Sequence, residues 1–120
     1  MNDSNCIFCK IIAGTVTAKK IYEDDWVLGI EDIKPSAPIH YLFLPKKHYR
    51  SLIQLELDRD GNEGSKYLEK IFAAMTAIAK KEGIHERGFR ASINTGEEGG
   101  QTVFHLHVHM LGGKKIKNHV

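Results

Sequence analysis

Histidine alternates with apolar residues in the segment His105-Leu106-His107-Val108-His109. Because side chains of a strand point alternately to its two faces, this pattern predicts a strand with three imidazoles on one face. The opposite face would anchor the strand in a core through Phe104, Leu106, Val108 and Met110. The chain therefore has to place a row of titratable nitrogens along one side of a sheet.

The spacing of the three histidines argues against a single shared metal ion. Two residues of a strand span roughly 6.7 Å, so His105 and His109 would start on the order of 13 Å apart. Zinc–nitrogen bonds are only about 2.0–2.1 Å long. We therefore expect different imidazoles of the row to serve different tasks.

Composition limits the class of protein. The 120 residues suit one domain, and 42% hydrophobic with 27% charged residues is ordinary for a soluble globular protein. A net charge of +2 is too small to indicate binding to nucleic acid or to an anionic membrane. Neither a membrane-spanning run nor a secretory signal in Met1–Lys10 is visible, so we expect a cytoplasmic protein.

The only cysteines, Cys6 and Cys9, form a C-x-x-C pair. Such a pair can be half of a zinc site or a redox couple. A redox couple of the thioredoxin kind should follow a strand and begin the helix of a βαβ unit. No strand precedes Cys6, so zinc binding or unliganded thiols are favoured over redox chemistry.

The hydrophobic pattern predicts an α+β fold with a mainly antiparallel five-stranded sheet, one long helix and one short helix. The short helix is expected over Asn5–Ala13, ending at Gly14, and the long one over Glu63–Glu82. The strands are predicted at Lys20–Glu23, Trp26–Glu31, His40–Leu44, Phe89–Asn94 and Phe104–Leu111. We expect a single domain over residues 1–120, with residues 113–120 as a mobile tail.

The segment Gly99-Gly100-Gln101-Thr102 comes directly before the histidine row. Glycines let backbone N–H groups approach an anion, and the two polar side chains add donors. A neutral imidazole with a pKa near 6.5 is a competent nucleophile at phosphorus. The two features together predict phosphoryl or nucleotidyl transfer, although an isolated histidine more often serves in a core by bonding to backbone.

The segment Gly99–Gly113 resembles the signature of the histidine triad (HIT) family, and it is most similar to the nucleotide-binding phosphoramidase branch. Further similar segments occur in the family's order along nearly the whole chain, at Cys6–Gly14, Glu31–Ile33, Ala37–His40 and Leu44–His48. The resemblance implies the HIT-like form of the α+β fold described above.

The resemblance also implies a mechanism. His107 would attack the α-phosphorus of a nucleoside phosphoramidate, forming a nucleotidyl-imidazole that water hydrolyses to a nucleoside monophosphate. His109 would contact the phosphate and help the leaving group depart, and His105 would support the imidazole array. Thr102 stands where close relatives carry serine, and its hydroxyl would donate to the leaving group.

The resemblance implies a purine-nucleotide site for an AMP or GMP derivative. Asp32 would bind the ribose, because a carboxylate can accept hydrogen bonds from both hydroxyls. Without the resemblance, a solvated turn acid would be the more common interpretation. The other nucleotide-binding positions implied are the apolar walls Phe8, Val16, Ile30 and Ile33, the phosphate neighbours Asn94, Gly100 and Gln101, and the supporting His40. The apolar residues could equally be ordinary core.

The resemblance finally implies a structural zinc ion and a homodimer. The zinc ligands would be Cys6, Cys9, His48 and His105, which together close the coordination sphere. The dimer would join two sheets through the long helix and the Phe89–Asn94 edge.

Two alternative functions stay open: a purine-nucleotide-binding regulatory protein with incidental catalysis, and a zinc- or thiol-based redox module.

Overall fold

A five-stranded antiparallel sheet forms the centre of the molecule. The computed structural model describes residues 5–58 and 63–117. The elements are α1 (Ile7–Ala13), β1 (Lys20–Glu23), β2 (Val27–Glu31), β3 (Ile39–Pro45), α2 (Leu52–Leu57), α3 (Glu63–Lys81), β4 (Arg90–Ser92) and β5 (Val108–Gly112). The strands are ordered β1-β2-β3-β5-β4, and every neighbouring pair is antiparallel. The predicted fold class is confirmed.

Short local signals at both ends define α1. The Cys6 thiol caps the helix by accepting a hydrogen bond from the Cys9 N–H. Gly14 ends it in the left-handed conformation, with φ of 84°, which suits a residue without a Cβ. The buried side of α1 packs on one face of β2 and β3, so this helix forms a wall above the sheet.

The other face of the sheet is covered by α3. Its apolar stripe, which includes Ile71, Met75 and Ile78, packs with Phe43 and Val108 from the sheet. Because both faces are covered, β2 and β3 are almost continuously buried. None of the described helices is long and apolar enough to cross a membrane.

The predicted start of the last strand was wrong. We expected a strand from Phe104, but β5 begins at Val108, so only His109 of the three histidines lies in the sheet. The Leu106 N–H donates to the Tyr49 carbonyl at 2.7 Å, which takes this backbone out of the ladder with β3. Leu106, Val108 and Met110 are buried as predicted, whereas Phe104 is 36% exposed.

Two other elements differ from expectation. The short helix α2 was not predicted, because its six residues are too few to show a helical period and only Leu55 is buried. Ser51 begins it by accepting a hydrogen bond from the Ile53 N–H. β4 covers only Arg90–Ser92 of the predicted Phe89–Asn94 segment.

Gly64 allows α2 and α3 to approach each other. A Cβ at this position would lie 2.3 Å from the Leu55 carbonyl oxygen, a backbone atom that cannot rotate away. We expect Gly64→Ala to lower the free energy of unfolding by about 1–3 kcal/mol, as measured by urea denaturation. Ser65→Ala, at an exposed site in the same helical turn, is the matched control. Equal stability of the two variants would contradict this account of the packing.

Candidate active site

A cavity of about 530 Å³ opens between α1, the end of β2 and the segment before β5. It is mostly apolar on the side of α1, with polar groups gathered at the other end. Its lining includes Phe8, Val16, Ile30, Asp32, Ile33, Asn94, Gly100, Gln101, Thr102, His107 and His109. The fold thus brings together nearly all residues that the sequence predicted for a nucleotide site.

The apolar end has the shape of a slot. Phe8 comes from α1, Ile30 from β2, and Val16 from the loop between α1 and β1. Ile33 lines the mouth and is 91% exposed. A cavity with apolar walls and a few polar groups is typical of small-molecule sites.

The position of His107 defines its tautomer. Its Nδ1 lies 2.7 Å from the His105 carbonyl oxygen, which can only accept a hydrogen bond. The neutral ring must therefore carry its proton on Nδ1, so Nε2 keeps a lone pair. Burial lowers the pKa of His107 below its ordinary value, although the His105 carbonyl and Asp32 oppose this. The ring is thus neutral at physiological pH and can act as a nucleophile.

A chain of hydrogen bonds defines the tautomer of His109. The Ser36 N–H donates to His40 Nδ1 at 3.0 Å, so neutral His40 carries its proton on Nε2. That Nε2 lies 3.0 Å from His109 Nδ1, which therefore accepts and leaves the His109 proton on Nε2. Burial lowers the pKa of His109 to about 4, with smaller contributions from His107 and His40. His40 orients His109 through this hydrogen bond and is not among the residues that line the cavity.

The rings of His107 and His109 lie side by side, with centroids 5.0 Å apart. One therefore presents a lone pair on Nε2, whereas the other carries a hydrogen on Nε2. A nucleophile next to a hydrogen-bond donor can bond to a phosphorus atom while stabilising charge on its departing group.

Asp32 follows β2 and lines the cavity. One carboxylate oxygen accepts a hydrogen bond from the Lys34 N–H at 2.8 Å, as in an ordinary Asx turn. The other oxygen lies 3.3 Å from His40 Nε2. The carboxylate thus stabilises its own turn and also lines the cavity.

Gln101 shapes the loop before the histidines. Its Nε2 donates to the carbonyls of Arg50, at 2.6 Å, and Val103, at 3.0 Å, while its Oε1 accepts from the Gly96 N–H. These bonds use both amide hydrogens of the side chain. The Gly100 and Gln101 N–H groups donate within the loop, to the Glu97 and Gly96 carbonyls at 3.0 Å each. The exposed Thr102 hydroxyl lines the cavity and can donate toward an anion there.

Gly100 is required by its surroundings. Its φ of +83° is unfavourable for residues with a side chain, and an added Cβ would lie 3.1 Å from Asn94 Nδ2. The backbone of this loop can therefore approach the Asn94 amide closely. This contact places two of the predicted phosphate neighbours against each other.

A separate cluster lies behind the cavity, made of Cys6, Cys9, His48 and His105. Its four possible ligand atoms all lie within 4.8 Å of one another. His105 Nδ1 lies 3.3 Å from the Cys6 sulfur, 3.4 Å from the Cys9 sulfur and 3.1 Å from His48 Nδ1. These four residues could hold a metal ion.

The environment of His105 supports this assignment. Its Nε2 lies 2.9 Å from the Pro45 carbonyl oxygen, so it carries the ring proton and leaves the Nδ1 lone pair facing the cluster. Burial lowers the pKa of His105 to about 4, which keeps the ring neutral as metal binding requires. Two sulfur and two nitrogen donors without an open position are typical of structural zinc. The three histidines are thus divided between two sites.

Several positioning groups were missed by sequence analysis. The Ser36 N–H and the carbonyls of Pro45 and His105 are main-chain groups, so no residue type signals their role. Ile11 and Leu42 also line the cavity. Ile11 could have been found, because it follows Phe8 by three positions on the same face of α1.

Comparison with known proteins decides the family. Residues 5–119 match the family model described as scavenger mRNA decapping enzyme C-term binding. The chain is 44% identical over 108 residues to protein HitA of Neisseria gonorrhoeae, covering 90% of this chain and 95% of HitA. A histidine triad protein from Clostridium difficile superposes with a TM-score of 0.91 at 43% identity, covering 100% of both chains. The chain belongs to the histidine triad family.

A hydrolase is among the similar histidine triad structures. A HIT family hydrolase from Legionella pneumophila Philadelphia 1 is 38% identical, with a TM-score of 0.86. The similarity covers 94% of this chain and 96% of the Legionella chain. This likeness, together with the His107 and His109 pair, supports hydrolase chemistry for this histidine triad protein.

Proposed function

We propose that this histidine triad protein hydrolyses nucleoside phosphoramidates at the α-phosphorus, with adenosine 5′-phosphoramidate as the model substrate. The observation that carries the proposal is the pairing of two tautomers in one cavity. His107 offers a lone pair on Nε2, and His109 offers an N–H on its own Nε2. The nucleotide would lie with its base in the apolar slot and its phosphate at this pair.

The first chemical step forms a bond between His107 Nε2 and phosphorus. The P–N bond of the substrate breaks, and its electron pair leaves with the amine. That nitrogen enters protonated and so departs as a neutral amine. As the P–N bond breaks, the nitrogen regains a lone pair, and the His109 N–H and the Thr102 hydroxyl then donate hydrogen bonds to it. The phosphorylated ring keeps its Nδ1 proton on the His105 carbonyl.

The second step returns the enzyme to its starting state. The oxygen of a water molecule bonds to phosphorus, and the P–Nε2 bond breaks with its electron pair returning to His107. The water gives up one proton to solvent, and a nucleoside monophosphate is released. Splitting one difficult displacement into two easier ones is the usual advantage of covalent catalysis.

Release of AMP from adenosine 5′-phosphoramidate tests the proposal. We expect steady turnover, and rapid quenching followed by mass spectrometry of the intact protein should find a nucleotidyl adduct on His107. Binding of AMP without any turnover would overturn the hydrolase and favour the nucleotide-binding regulatory protein. A phenotype that depends on Cys6 alone would favour the redox module instead.

Asp32 is proposed to bind the ribose hydroxyls. Asp32→Asn keeps an oxygen for the Lys34 N–H but removes the charge, so the turn should survive. Because hydrogen bonds to charged groups contribute about 1.5–3 kcal/mol, we expect AMP binding to weaken by about 10- to 100-fold. Isothermal titration calorimetry measures the change, with the exposed Asp25→Asn as the control. Unchanged affinity for AMP would remove Asp32 from the site.

We further propose that the Cys6, Cys9, His48 and His105 cluster holds one zinc ion. When bound, the ion supplies no chemistry to the reaction and fastens α1 to the segment that carries His107. The donor set, the neutral His105 ring and its Pro45 partner support this assignment.

We also propose that the chain forms a homodimer and is located in the cytoplasm. β4 is a three-residue outer strand of the sheet, and within the described residues one of its edges has no partner strand. Phe72 on α3 is 47% exposed, in agreement with a contact that involves this helix. Light scattering during size-exclusion chromatography tests the dimer, and a monomeric mass at micromolar concentration would refute it.

A further inference from the structure

A strongly basic surface lies at the end of β5. Two cavities share Lys114 and Lys115, and among the residues that the structure describes their linings together hold five basic ones and no acidic one. The basic residues are Arg87, Arg90, Lys114, Lys115 and Lys117. Since the net charge of the whole chain is only +2, positive charge is concentrated here.

This basic surface adjoins the candidate active site. Ser36 lines one of its cavities and also donates the hydrogen bond that orients His40. Gly113 packs against Pro38, since a Cβ on Gly113 would lie 3.0 Å from the Pro38 Cβ. The chain that carries Lys114 and Lys115 therefore leaves the sheet directly beside the loop that supports the histidines.

Sheet register places Arg90 on the face that carries His109. Ser92 is opposite His109, and Arg90 is opposite Leu111. Opposed residues of an antiparallel pair point to the same face, and two residues of a strand span roughly 7 Å. Arg90 of the basic surface therefore lies roughly 7 Å along β4 from the residue opposite His109, on the same face of the sheet.

We propose that the basic surface selects leaving groups that carry negative charge. The inference rests on the proposed function, because it assigns the far side of the scissile P–N bond to this surface. Lys114 and Lys115 are exposed, and no carboxylate pairs with either of them in the described part of the chain. An amine bearing a carboxylate or a phosphate would meet these ammonium groups, whereas a neutral amine would gain nothing from them.

Three adenosine 5′-phosphoramidates with the same two-carbon spacer test the inference. Their leaving amines are ethanolamine, β-alanine and O-phosphoethanolamine, which end in a hydroxyl, a carboxylate and a phosphate. We expect kcat/KM of the wild type to be about fivefold higher for a charged amine than for ethanolamine, given the modest strength of exposed ion pairs. The preference should decline as salt is added. Whichever of the two charged substrates has the higher kcat/KM shows whether the surface prefers a carboxylate or a phosphate.

Lys114→Ala/Lys115→Ala should abolish the preference and leave hydrolysis of the ethanolamide unchanged. Lys66→Ala/Lys70→Ala removes the same charge from exposed positions in the first half of α3, far along the helix from Gly83, and should keep the preference. An equal loss of kcat/KM for all three substrates in Lys114→Ala/Lys115→Ala would overturn the inference. Equal kcat/KM of the wild type for charged and neutral amines would overturn it as well. If the wild type hydrolyses none of them, the proposed function itself fails and the inference with it.

Discussion

His107→Gln should lower the rate of AMP release from adenosine 5′-phosphoramidate by about 10⁴- to 10⁶-fold, the range found when a covalent nucleophile is removed. Glutamine fills similar space and offers no basic nitrogen that could attack phosphorus. The remaining rate would come from binding and from the donors around the phosphate. A continuous assay for AMP measures the loss, and mass spectrometry should find no adduct on the variant.

The control for this variant has to separate chemistry from folding. His85→Gln changes the same residue type at an exposed position outside the cavity, and its rate should equal that of the wild type. Binding of AMP by His107→Gln should remain close to the wild-type affinity, because the slot and Asp32 are intact. A variant that still hydrolyses the substrate at the wild-type rate would exclude His107 as the nucleophile.

Replacing both cysteines should have the largest effect on stability. We expect Cys6→Ser/Cys9→Ser to bind no zinc and to melt about 10 °C or more below the wild type, because losing several kcal/mol of metal binding shifts a small domain by that much. Both thiols are buried at the base of α1. Losing the ion would therefore release that helix from the sheet. Elemental analysis and scanning calorimetry measure the two quantities.

A chelator provides the matching comparison. Strong chelation should lower the melting temperature of the wild type toward that of the double variant, and the variant itself should not respond. Wild-type protein purified without chelator and found free of zinc would refute the four-ligand site.

Sequence reasoning was most successful where pattern and packing agree. Val108 and Met110 were predicted to be buried, because alternate residues of a strand point to the same face. Both are buried in the structure. The start of β5 could not be predicted, since the Tyr49 carbonyl that captures the Leu106 N–H belongs to a loop distant in sequence. Local pattern carries no information about such a long-range partner. The same reason explains the exposure of Phe104, which lies beside Arg50 rather than in the core.

In the candidate site too, residue types were predictable from sequence, whereas features set by long-range main-chain contacts were not. Residues such as Phe8 and Asp32 were predicted as nucleotide contacts, and the fold places both on one cavity. The tautomers of His107 and His109 could not be predicted, because a carbonyl and an N–H of the main chain determine them. Gln101 was expected near the phosphate, yet its amide holds the loop through three main-chain bonds.

Main-chain groups determine where the protons sit on the reacting rings, and this has a practical consequence for protein engineering. An amide N–H and a carbonyl do not titrate in any accessible pH range, and they persist when the side chain at the same position is exchanged. The slot proposed for the base can therefore be redesigned at positions such as Val16 and Ile33 without changing the main-chain bonds that orient His107 and His109. Substitutions in the slot should then alter the choice of base and leave the tautomers of both rings unchanged.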